Sequence, residues 1–412
     1  MRNIEITAPV GSFESLMSAI KAGADSVYFG IEQLNMRARS VNNFTIEDLK
    51  KISEICKENN VKTFLALNTI IYDHDINLMK NICNAAKINN IDAVIVSDVS
   101  VMEYAKSIGL SVHCSTQLNI SNIGAVKFFS KFTDTIVLAR ELTINQITNI
   151  CDEIKKQEIK GPKNELIKIE IFIHGALCVA ISGKCYMSLA LHNASANRGA
   201  CLQNCRRSYK VIDEETGDEL LLDNKYVMSP KDLCTIGFID RIIESGVSIL
   251  KIEGRGKPAE YVYTVTKTYK EAIESYFNKD YTKEKIEKWI NELEKVYNRG
   301  FWHGGYYLGK QLGEWSGSYG SKATKEKVFL GIANKYYDKV NIGEFTIQSG
   351  ILKVGDEIII TGPTTGIVQT KITNIRSNDT DVEYAKKGDI ITVPIDNKIR
   401  SNDKLYLFKD KI

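Results

Sequence analysis

Residues 4–30 read IEITAPVGSFESLMSAIKAGADSVYFG, and this stretch decides the fold class. Two short runs rich in β-branched residues, 4–10 and 26–30, flank an amphipathic segment at 12–23. Both runs are mostly apolar on both faces, as is typical of parallel strands that are buried on both sides. Ser12 suits a helix N-cap because its hydroxyl can accept a hydrogen bond from the first helical turn. The stretch therefore predicts a strand, a helix and a second strand.

The same alternation continues along the first 254 residues, with helical patterns at 45–60 and 76–90 among others. Eight strands separated by helices predict an α/β fold of the closed (β/α)8 TIM type. An open doubly wound sheet is the alternative, but no G-x-G-x-x-G follows the first strand to support it. The predicted strands are residues 4–10, 26–30, 62–68, 93–98, 111–117, 135–140, 167–175 and 248–254.

The alternation breaks at two places, and these breaks define the predicted domains. A cysteine-rich insertion at 176–229 separates the seventh strand from the eighth. From residue 328 onward the pattern changes to short strands separated by turns, which predicts a small antiparallel β-barrel. We therefore predict a barrel domain at 1–312, a linker at 313–327 and a β-barrel domain at 328–412. The predicted strands of the last domain are residues 328–333, 340–342, 358–360, 366–375, 390–393 and 404–408.

The composition excludes several classes of protein. With 412 residues, 43% hydrophobic and 25% charged, the chain can bury a large core and is neither fibrous nor disordered. A formal net charge of +3 does not indicate a nucleic-acid binder, although a local basic patch stays open. The sequence shows no signal peptide and no apolar run near the ~20 residues of a membrane span. We expect a soluble cytoplasmic protein without a membrane partner and without a disulfide framework.

Four of the nine cysteines lie close together in the insertion, at Cys178, Cys185, Cys201 and Cys205. Four thiolates can hold zinc in a tetrahedral site or ligate an iron–sulfur cluster. The first pair is spaced more widely than the tight knuckles of zinc sites, which favours the cluster. Cys234 is a fifth thiol that could replace Cys205. The remaining cysteines fit apolar helix or strand positions and are expected in the core: Cys56, Cys83, Cys114 and Cys151.

Cationic residues follow several predicted strands. The C-terminal ends of barrel strands meet at the face where such barrels place their active sites. Arginine suits carboxylates and phosphates because its planar fork donates two parallel hydrogen bonds. Each cation could instead be solvated or ion-paired. The candidate binding residues are Arg37, Arg39, Lys251 and Arg255.

Three further residues are candidate catalytic groups. His174 ends the seventh strand, where it could donate to a substrate or a cluster sulfur, or be a satisfied structural histidine. Arg140 ends the sixth strand, where it could hold an anion. Glu253 lies between Lys251 and Arg255, so it could act in the site or simply pair with these cations.

Two segments mix cations with aromatic residues: residues 206–210 read RRSYK, and residues 299–307 read RGFWHGGYY. Such mixtures bind RNA through phosphate contacts and base stacking. The alternative, which we favour, puts Phe301 and Trp302 in the core and the glycines in turns.

The cysteine loop and its flanks resemble the signature of peptidase family U32. The signature residues are EIFIHGALCVAISGKCYMS at 170–188 and NRGACLQNCR at 197–206. Shorter matches are SPKDL at 229–233, KIEGR at 251–255 and RGF at 299–301. Together with matches near the N-terminus, the resemblance spans essentially the whole chain.

This resemblance implies an activity and a cofactor. The family was named for collagenase-like proteolysis, but it includes oxygen-independent hydroxylases of tRNA, 23S rRNA and ubiquinone precursors that use a four-iron cluster. Its RNA-modifying members draw on prephenate for the hydroxyl group. By resemblance, Cys178, Cys185, Cys201 and Cys205 would ligate a [4Fe–4S] cluster. The compact length and the appended β-domain most resemble the tRNA 5-hydroxyuridine modification proteins.

Three functions stay open at this stage. We favour a tRNA or rRNA hydroxylase with a prephenate-like dicarboxylate cosubstrate. The second is a collagenase-like protease, but H-E-x-x-H is absent, and a dyad of His174 and Cys178 fits a strand end poorly. The third is a non-catalytic subunit that works with a paralogous partner, as some relatives do.

Overall fold

The computed structural model describes residues 4–38, 43–217, 219–220, 228–310, 314–318 and 320–411. In its first part, strands alternate with helices. The helices are α1 (Phe13–Lys21), α2 (Asp48–Glu58), α3 (Ile76–Ile88), α4 (Val99–Ser107), α5 (Ile123–Phe129), α6 (Ile144–Lys156), α7 (Met187–His192), α8 (Ile239–Glu244), α9 (Ala259–Phe277) and α10 (Lys283–Glu294). The strands are β1 (Glu5–Pro9), β2 (Ser26–Phe29), β3 (Lys62–Leu67), β4 (Ala93–Val96), β5 (Val112–Cys114), β6 (Thr135–Val137), β7 (Lys168–Gly175), β8 (Val211–Ile212), β9 (Glu219–Leu220), β10 (Asp232–Cys234), β11 (Ile249–Ile252) and β12 (Phe301–His303).

Eight parallel strands form a closed barrel. Strands β1 to β7 pair in chain order, and β11 pairs with both β1 and β7 to complete the ring. The predicted (β/α)8 barrel is confirmed. Helix α1 begins as predicted, because the Ser12 hydroxyl accepts a hydrogen bond from the Ser15 N–H at 3.2 Å.

Two short strands extend the sheet beyond the ring. Strand β10 pairs antiparallel with the end of β7, and β12 pairs parallel with β10. Phe301 and Trp302 of β12 are buried in the barrel-domain core, which confirms the core interpretation of this aromatic segment. Strand β10 therefore lies between the C-terminal end of β7 and β12.

The last part of the chain forms antiparallel sheets around a core of its own, as predicted. The predicted strand at 340–342 is wrong, because β13 runs on to Tyr337 and Asn341 turns the chain with a left-handed φ of +54°. The strands are β13 (Lys325–Tyr337), β14 (Ile342–Ile347), β15 (Ile351–Lys353), β16 (Glu357–Gly362), β17 (Gly366–Lys371), β18 (Arg376–Ser377), β19 (Thr380–Asp381), β20 (Tyr384–Lys386), β21 (Ile390–Pro394) and β22 (Lys404–Asp410).

This C-terminal part packs against helices α1 and α9 of the barrel. Gly366, at a φ of +66°, approaches α1 so closely that an added Cβ would lie 2.8 Å from the Cβ of Met17. Lys327 Nζ pairs with Glu260 Oε2 of α9 at 2.9 Å. Among the described residues, no helix has both the length and the apolar character needed to cross a membrane.

Candidate active site at the C-terminal end of the barrel

A cavity of about 410 Å³ opens at the C-terminal end of the barrel. Its wall combines strand-end residues, the cysteine loop and the turn that follows β11. Asn68 and Gln117 line one side, where Asn68 Nδ2 donates to Gln117 Oε1 at 3.1 Å. This is the face where barrels of this type hold their active sites, so the cavity is the candidate site.

The four loop cysteines all line this cavity. They are free thiols, and Cys178 is exposed while the other three are half-buried. Although part of Cys178 is exposed, the burial of its thiol raises its pKa, against the Ala180 N–H and Arg140, and nearby Cys185 and Cys201 raise it further. Burial also raises the pKa of Cys205, against Arg206, and Cys178, Cys201 and Cys185 raise it further. The four side chains therefore lie close enough to influence one another.

This proximity fits a soft metal, because four thiols from one loop supply the donor set of a cluster. Within the part of the chain that the structure describes, however, no three or more His, Cys, Asp or Glu side chains are arranged to hold a metal ion. The loop brings the sulfurs to one cavity, and metal ligation by them stays a prediction.

The other five cysteines do not line the cavity, and Cys151 is buried in α6 as predicted. Cys234 lies in β10, with its thiol 3.9 Å from the Tyr269 hydroxyl, and burial raises its pKa to about 12. It does not line the cavity, so the structure gives no support to Cys234 as a substitute for Cys205. Cys56, Cys83 and Cys114 are buried as predicted, and burial raises the pKa of each to about 12.

Glu253 organises the charged side of the cavity. Its Oε1 accepts from Arg37 Nη2 at 3.1 Å, and its Oε2 lies 3.1 Å from the hydroxyl of Tyr28. Burial favours the neutral carboxyl, but Arg37, Arg140 and Arg255 together lower its pKa below the usual value. Glu253 is therefore held as a carboxylate, and it orients Arg37 rather than leaving it free.

Arg255 is buried at this site, with only 8% of its surface exposed. Its Nη1 has no hydrogen-bond partner among the described residues. Burial lowers its pKa, partly offset by Tyr28 and Glu253. A buried donor without a partner has a free-energy cost that an anion in the cavity would remove.

Arg140 also reaches the cavity. Its guanidinium lies over the Phe172 ring, 3.9 Å from the centroid, and Nη1 donates to the Ala176 carbonyl at 2.9 Å. Its buried Nε has no partner in the described part of the chain. Arg140 is therefore positioned by the barrel wall while it keeps a donor available.

Lys251 lines the cavity floor, but its ammonium group already forms an ion pair. Its Nζ pairs with Glu170 Oε1 at 2.7 Å, and both side chains are buried inside the barrel. The sequence suggested a cation for a cosubstrate, whereas the structure shows an internal ion pair. Arg39 lies outside the described residues, so its predicted role is untested.

His174 is not brought to the cavity. In a regular strand it would share the inner face with Phe172, but a register shift between β7 and β11 pairs it with Ile252 and turns it outward. Its Nδ1 lies 3.3 Å from the Tyr269 hydroxyl, and burial lowers its pKa to about 3. The predicted catalytic role of His174 therefore gains no support from its position.

Residues 11–317 match the sequence profile described as peptidase family U32. The chain belongs to this family. It is 56% identical over 408 residues to a Porphyromonas gingivalis protein named collagenase, a match that covers 99% of this chain and 98% of that protein.

Relatives of this U32 protein also include RNA-modification proteins. It is 31% identical over 370 residues to tRNA hydroxylation protein P1 of Bacillus subtilis, covering 87% of this chain and 83% of that protein. It is 33% identical over 273 residues to the 23S rRNA 5-hydroxycytidine C2501 synthase of Escherichia coli, covering 66% of this chain and 39% of that one. The family thus contains proteins named for two different chemistries.

Sequence reasoning missed one cation of the U32 cavity, Lys257, and it named another, Arg299, only as part of the cation and aromatic segment at 299–307. Arg299 is buried and its Nη1 lies 3.4 Å from Asp232 Oδ1. Burial lowers the pKa of Lys257 to about 7, and Arg299 adds to the effect. The run GRGKP at 254–258 could have indicated Lys257, because it directly follows a barrel strand. A turn at that point brings nearby side chains to the C-terminal face of the barrel.

The cation-rich segment after the last cysteine is partly structural. Arg206 Nη1 donates to the Pro230 carbonyl at 2.7 Å and to the Ser229 hydroxyl at 3.0 Å. Arg206 therefore ties the cysteine loop to the segment that leads into β10, and these bonds leave fewer of its donors for RNA.

Proposed function

We propose that this chain is an oxygen-independent RNA hydroxylase that forms 5-hydroxyuridine in tRNA with a [4Fe–4S] cluster and a prephenate-like hydroxyl donor. The observation that carries the proposal is the convergence of four free thiols and several cations on one cavity at the C-terminal end of the barrel. The relationship to tRNA and rRNA hydroxylation proteins supports RNA as the substrate.

In this proposal Cys178, Cys185, Cys201 and Cys205 hold the cluster. When bound, the cluster would supply electron transfer to a reaction that uses no molecular oxygen. The loop that carries these thiols is tied to the barrel by Arg206 and by Arg198, whose Nη1 donates to the Ile70 carbonyl at 2.7 Å. Such anchoring would hold the sulfurs at the cavity wall.

The cations of the cavity suit an anionic cosubstrate and the RNA backbone. Arg255 and Arg140 each keep an unpaired nitrogen within the described residues, and both can donate to a carboxylate or phosphate. Glu253 stays ionised and holds Arg37 in place, so its proposed role is positioning rather than proton transfer. Tyr186, which follows Cys185 and is 72% exposed, offers an aromatic face for an extruded base.

A collagenase-like protease is the second candidate, and the 56% identical relative named collagenase favours it. A serine or cysteine protease needs a general base beside its nucleophile. None of the described cavity-lining residues is a histidine, and His174 is buried against Tyr269. The geometry therefore supports redox chemistry better than proteolysis.

The test compares tRNA nucleosides by mass spectrometry in cells with and without the gene. We expect 5-hydroxyuridine to disappear with the gene and to return with the wild-type chain. The Cys201→Ala variant should restore no 5-hydroxyuridine and should lose iron. The Cys83→Ala variant, which removes a buried helical thiol, should keep both iron and activity. Full activity of iron-free protein would overturn the proposal, and gelatin cleavage by metal-stripped protein would favour the protease. Modification that appears only when a paralogue is added would favour the partner-subunit alternative.

A further inference from the structure

Three cations gather around the ring of Tyr297 on one wall of the cavity: Arg206, Lys257 and Arg299. The Lys257 ammonium lies over this ring, 2.8 Å from the centroid, and the guanidinium carbon of Arg299 lies 5.2 Å from the same centroid. Burial raises the pKa of Tyr297, whereas Arg299 and Arg206 act against this rise. The three cationic groups therefore share one neighbourhood, which we call the Tyr297 wall.

The positive charge of the Tyr297 wall exceeds the negative charge beside it. Asp232 is the carboxylate that pairs with Arg299, with Oδ1 3.4 Å from Nη1. In the described residues, Arg206 donates only to neutral groups, namely two carbonyls and a serine hydroxyl. Lys257 has no ion-pair partner within the same residues. Like charges held close together repel one another, so an anion bound among them would be stabilising.

The charge state of Lys257 depends on two opposing effects. The face of the Tyr297 ring stabilises the ammonium form. Burial and Arg299 disfavour that form and lower the pKa of Lys257 to about 7. Glu253 and Arg37 also act on Lys257, but they pair with each other. An anion beside the amine would favour the ammonium form and so bind to a full positive charge.

The loops after the last two strands of the barrel carry part of this wall. Lys257 lies in the turn after β11, where its N–H donates to the Gly254 carbonyl at 2.8 Å, and Arg206 lies in the cysteine loop after β7. In (β/α)8 barrels these two loops and a helix N-terminus frequently form a phosphate site. Helix α9 begins shortly after Lys257, and no side chain caps it, so its dipole adds positive potential. The flanking Gly256 and Pro258 are exposed, so the turn can be reached from solvent.

We propose that the Tyr297 wall binds a phosphate group and that Lys257 is its principal charged donor. The inference rests on the proposed function in one respect, since the phosphate would belong to the RNA strand beside the nucleotide that enters the cavity. A phosphate offers more acceptor oxygens than a carboxylate, which suits donors that come from both an ammonium and a guanidinium group. Because the turn is exposed, a backbone phosphate could bind there while its base reaches further into the cavity.

The test measures binding of the uridine trinucleotide UpUpU to the full-length protein, purified without oxygen, by calorimetric titration. Lys257→Gln should weaken this binding about tenfold, because a charge-assisted hydrogen bond is lost. Lys257→Arg keeps the charge and should bind within about twofold of wild type. The matched control is Lys267→Gln, which removes an exposed lysine of α9 and should leave the affinity unchanged.

A second comparison shows whether Lys257 contacts a phosphate. Each of the two linkages of UpUpU is replaced in turn by an uncharged methylphosphonate. One replacement should weaken binding to wild type and to Lys267→Gln about tenfold, but should cost Lys257→Gln little, because the partner is already gone. An equal loss in wild type and Lys257→Gln would overturn the contact, and so would a Lys257→Gln variant that binds UpUpU like wild type.

Two small anions separate this site from the cosubstrate and from the proposed function. Malate affinity should not change in Lys257→Gln, and a loss as large as that for UpUpU would make the wall a carboxylate site and overturn the proposal. Inorganic phosphate should bind wild type and bind Lys257→Gln more weakly. If that difference appeared while UpUpU bound neither protein, the phosphate site would stand and the RNA substrate would fail. If neither UpUpU nor phosphate bound wild type, the site itself would be refuted.

Discussion

The two ends of the barrel carry cavities with different charge pairing. At the N-terminal end, a cavity of about 160 Å³ is lined by charges that find partners, such as Lys62 Nζ with Glu5 Oε1 at 2.8 Å. Asp92 Oδ2 there accepts from the Thr63 N–H at 2.7 Å. At the C-terminal end, Arg255 and Arg140 keep unpaired nitrogens within the described residues. At the N-terminal cavity the unpaired buried group is the neutral His113 Nδ1, whereas at the C-terminal cavity the unpaired groups belong to cations, so we call the first the stabilising end and the second the binding end.

The largest expected change in stability follows from breaking the ion pair of Lys251 and Glu170, between the two ends of the barrel. Lys251→Met leaves Glu170 buried without its partner, and we expect the free energy of unfolding to fall by about 3–5 kcal/mol. Urea unfolding at pH 7 measures this change. The double variant Glu170→Met, Lys251→Met should recover most of the loss, because no lone charge remains buried. A single variant as stable as wild type would mean that the pair is not needed by the fold.

Arg255→Met tests the binding end directly. Only Nη1 of Arg255 is unpaired in the described residues, and Glu253 interacts with its charge, so Arg255→Met should lower the free energy of unfolding by much less than Lys251→Met does. Binding of a dicarboxylate such as malate should weaken by about 10–100-fold, the equivalent of losing a charge-assisted hydrogen bond of about 1.5–3 kcal/mol. Calorimetric titration of both proteins gives the comparison. If the variant lost stability while its malate binding stayed the same, Arg255 would belong with the stabilising residues.

Acid stability depends on one buried histidine near each end. Burial lowers the pKa of His174 and of His113 from the ordinary value of about 6.5 to about 3. Because the folded pKa is depressed, the unfolded chain binds more protons below pH 6.5, and stability falls as the pH drops from there towards 3. Each histidine should account for about 2 kcal/mol of loss between pH 7 and pH 5. In urea unfolding, His174→Phe should reduce that loss by about this amount, and an unchanged pH dependence would contradict the burial.

The smallest change in stability is expected from a substitution at the N-terminal end of the barrel. Lys62→Met breaks a half-exposed ion pair with Glu5, and such pairs contribute about 0–1 kcal/mol. Malate binding should not change. A loss of malate binding on this substitution would show that the two ends of the barrel are coupled.

Much of the fold of this protein could be predicted from its sequence. The eight barrel strands were predicted from short runs that are apolar on both faces, and the antiparallel C-terminal sheets from short strands separated by turns. Phe301 and Trp302 were expected in the core because large aromatic side chains are stabilised by burial. The cysteine spacing also indicated one loop, and the structure places its four thiols at one cavity.

Only the tertiary structure decided which charged and titratable residues face the cavity unpaired. A register shift between β7 and β11 turned His174 outward, and no local pattern announces such a shift. Lys251 pairs with Glu170 from a strand far away in sequence, so its charge could not be assigned from its own neighbourhood. The pKa of Lys257 is lowered by burial beside Arg299, and burial is a property of the assembled fold rather than of a segment.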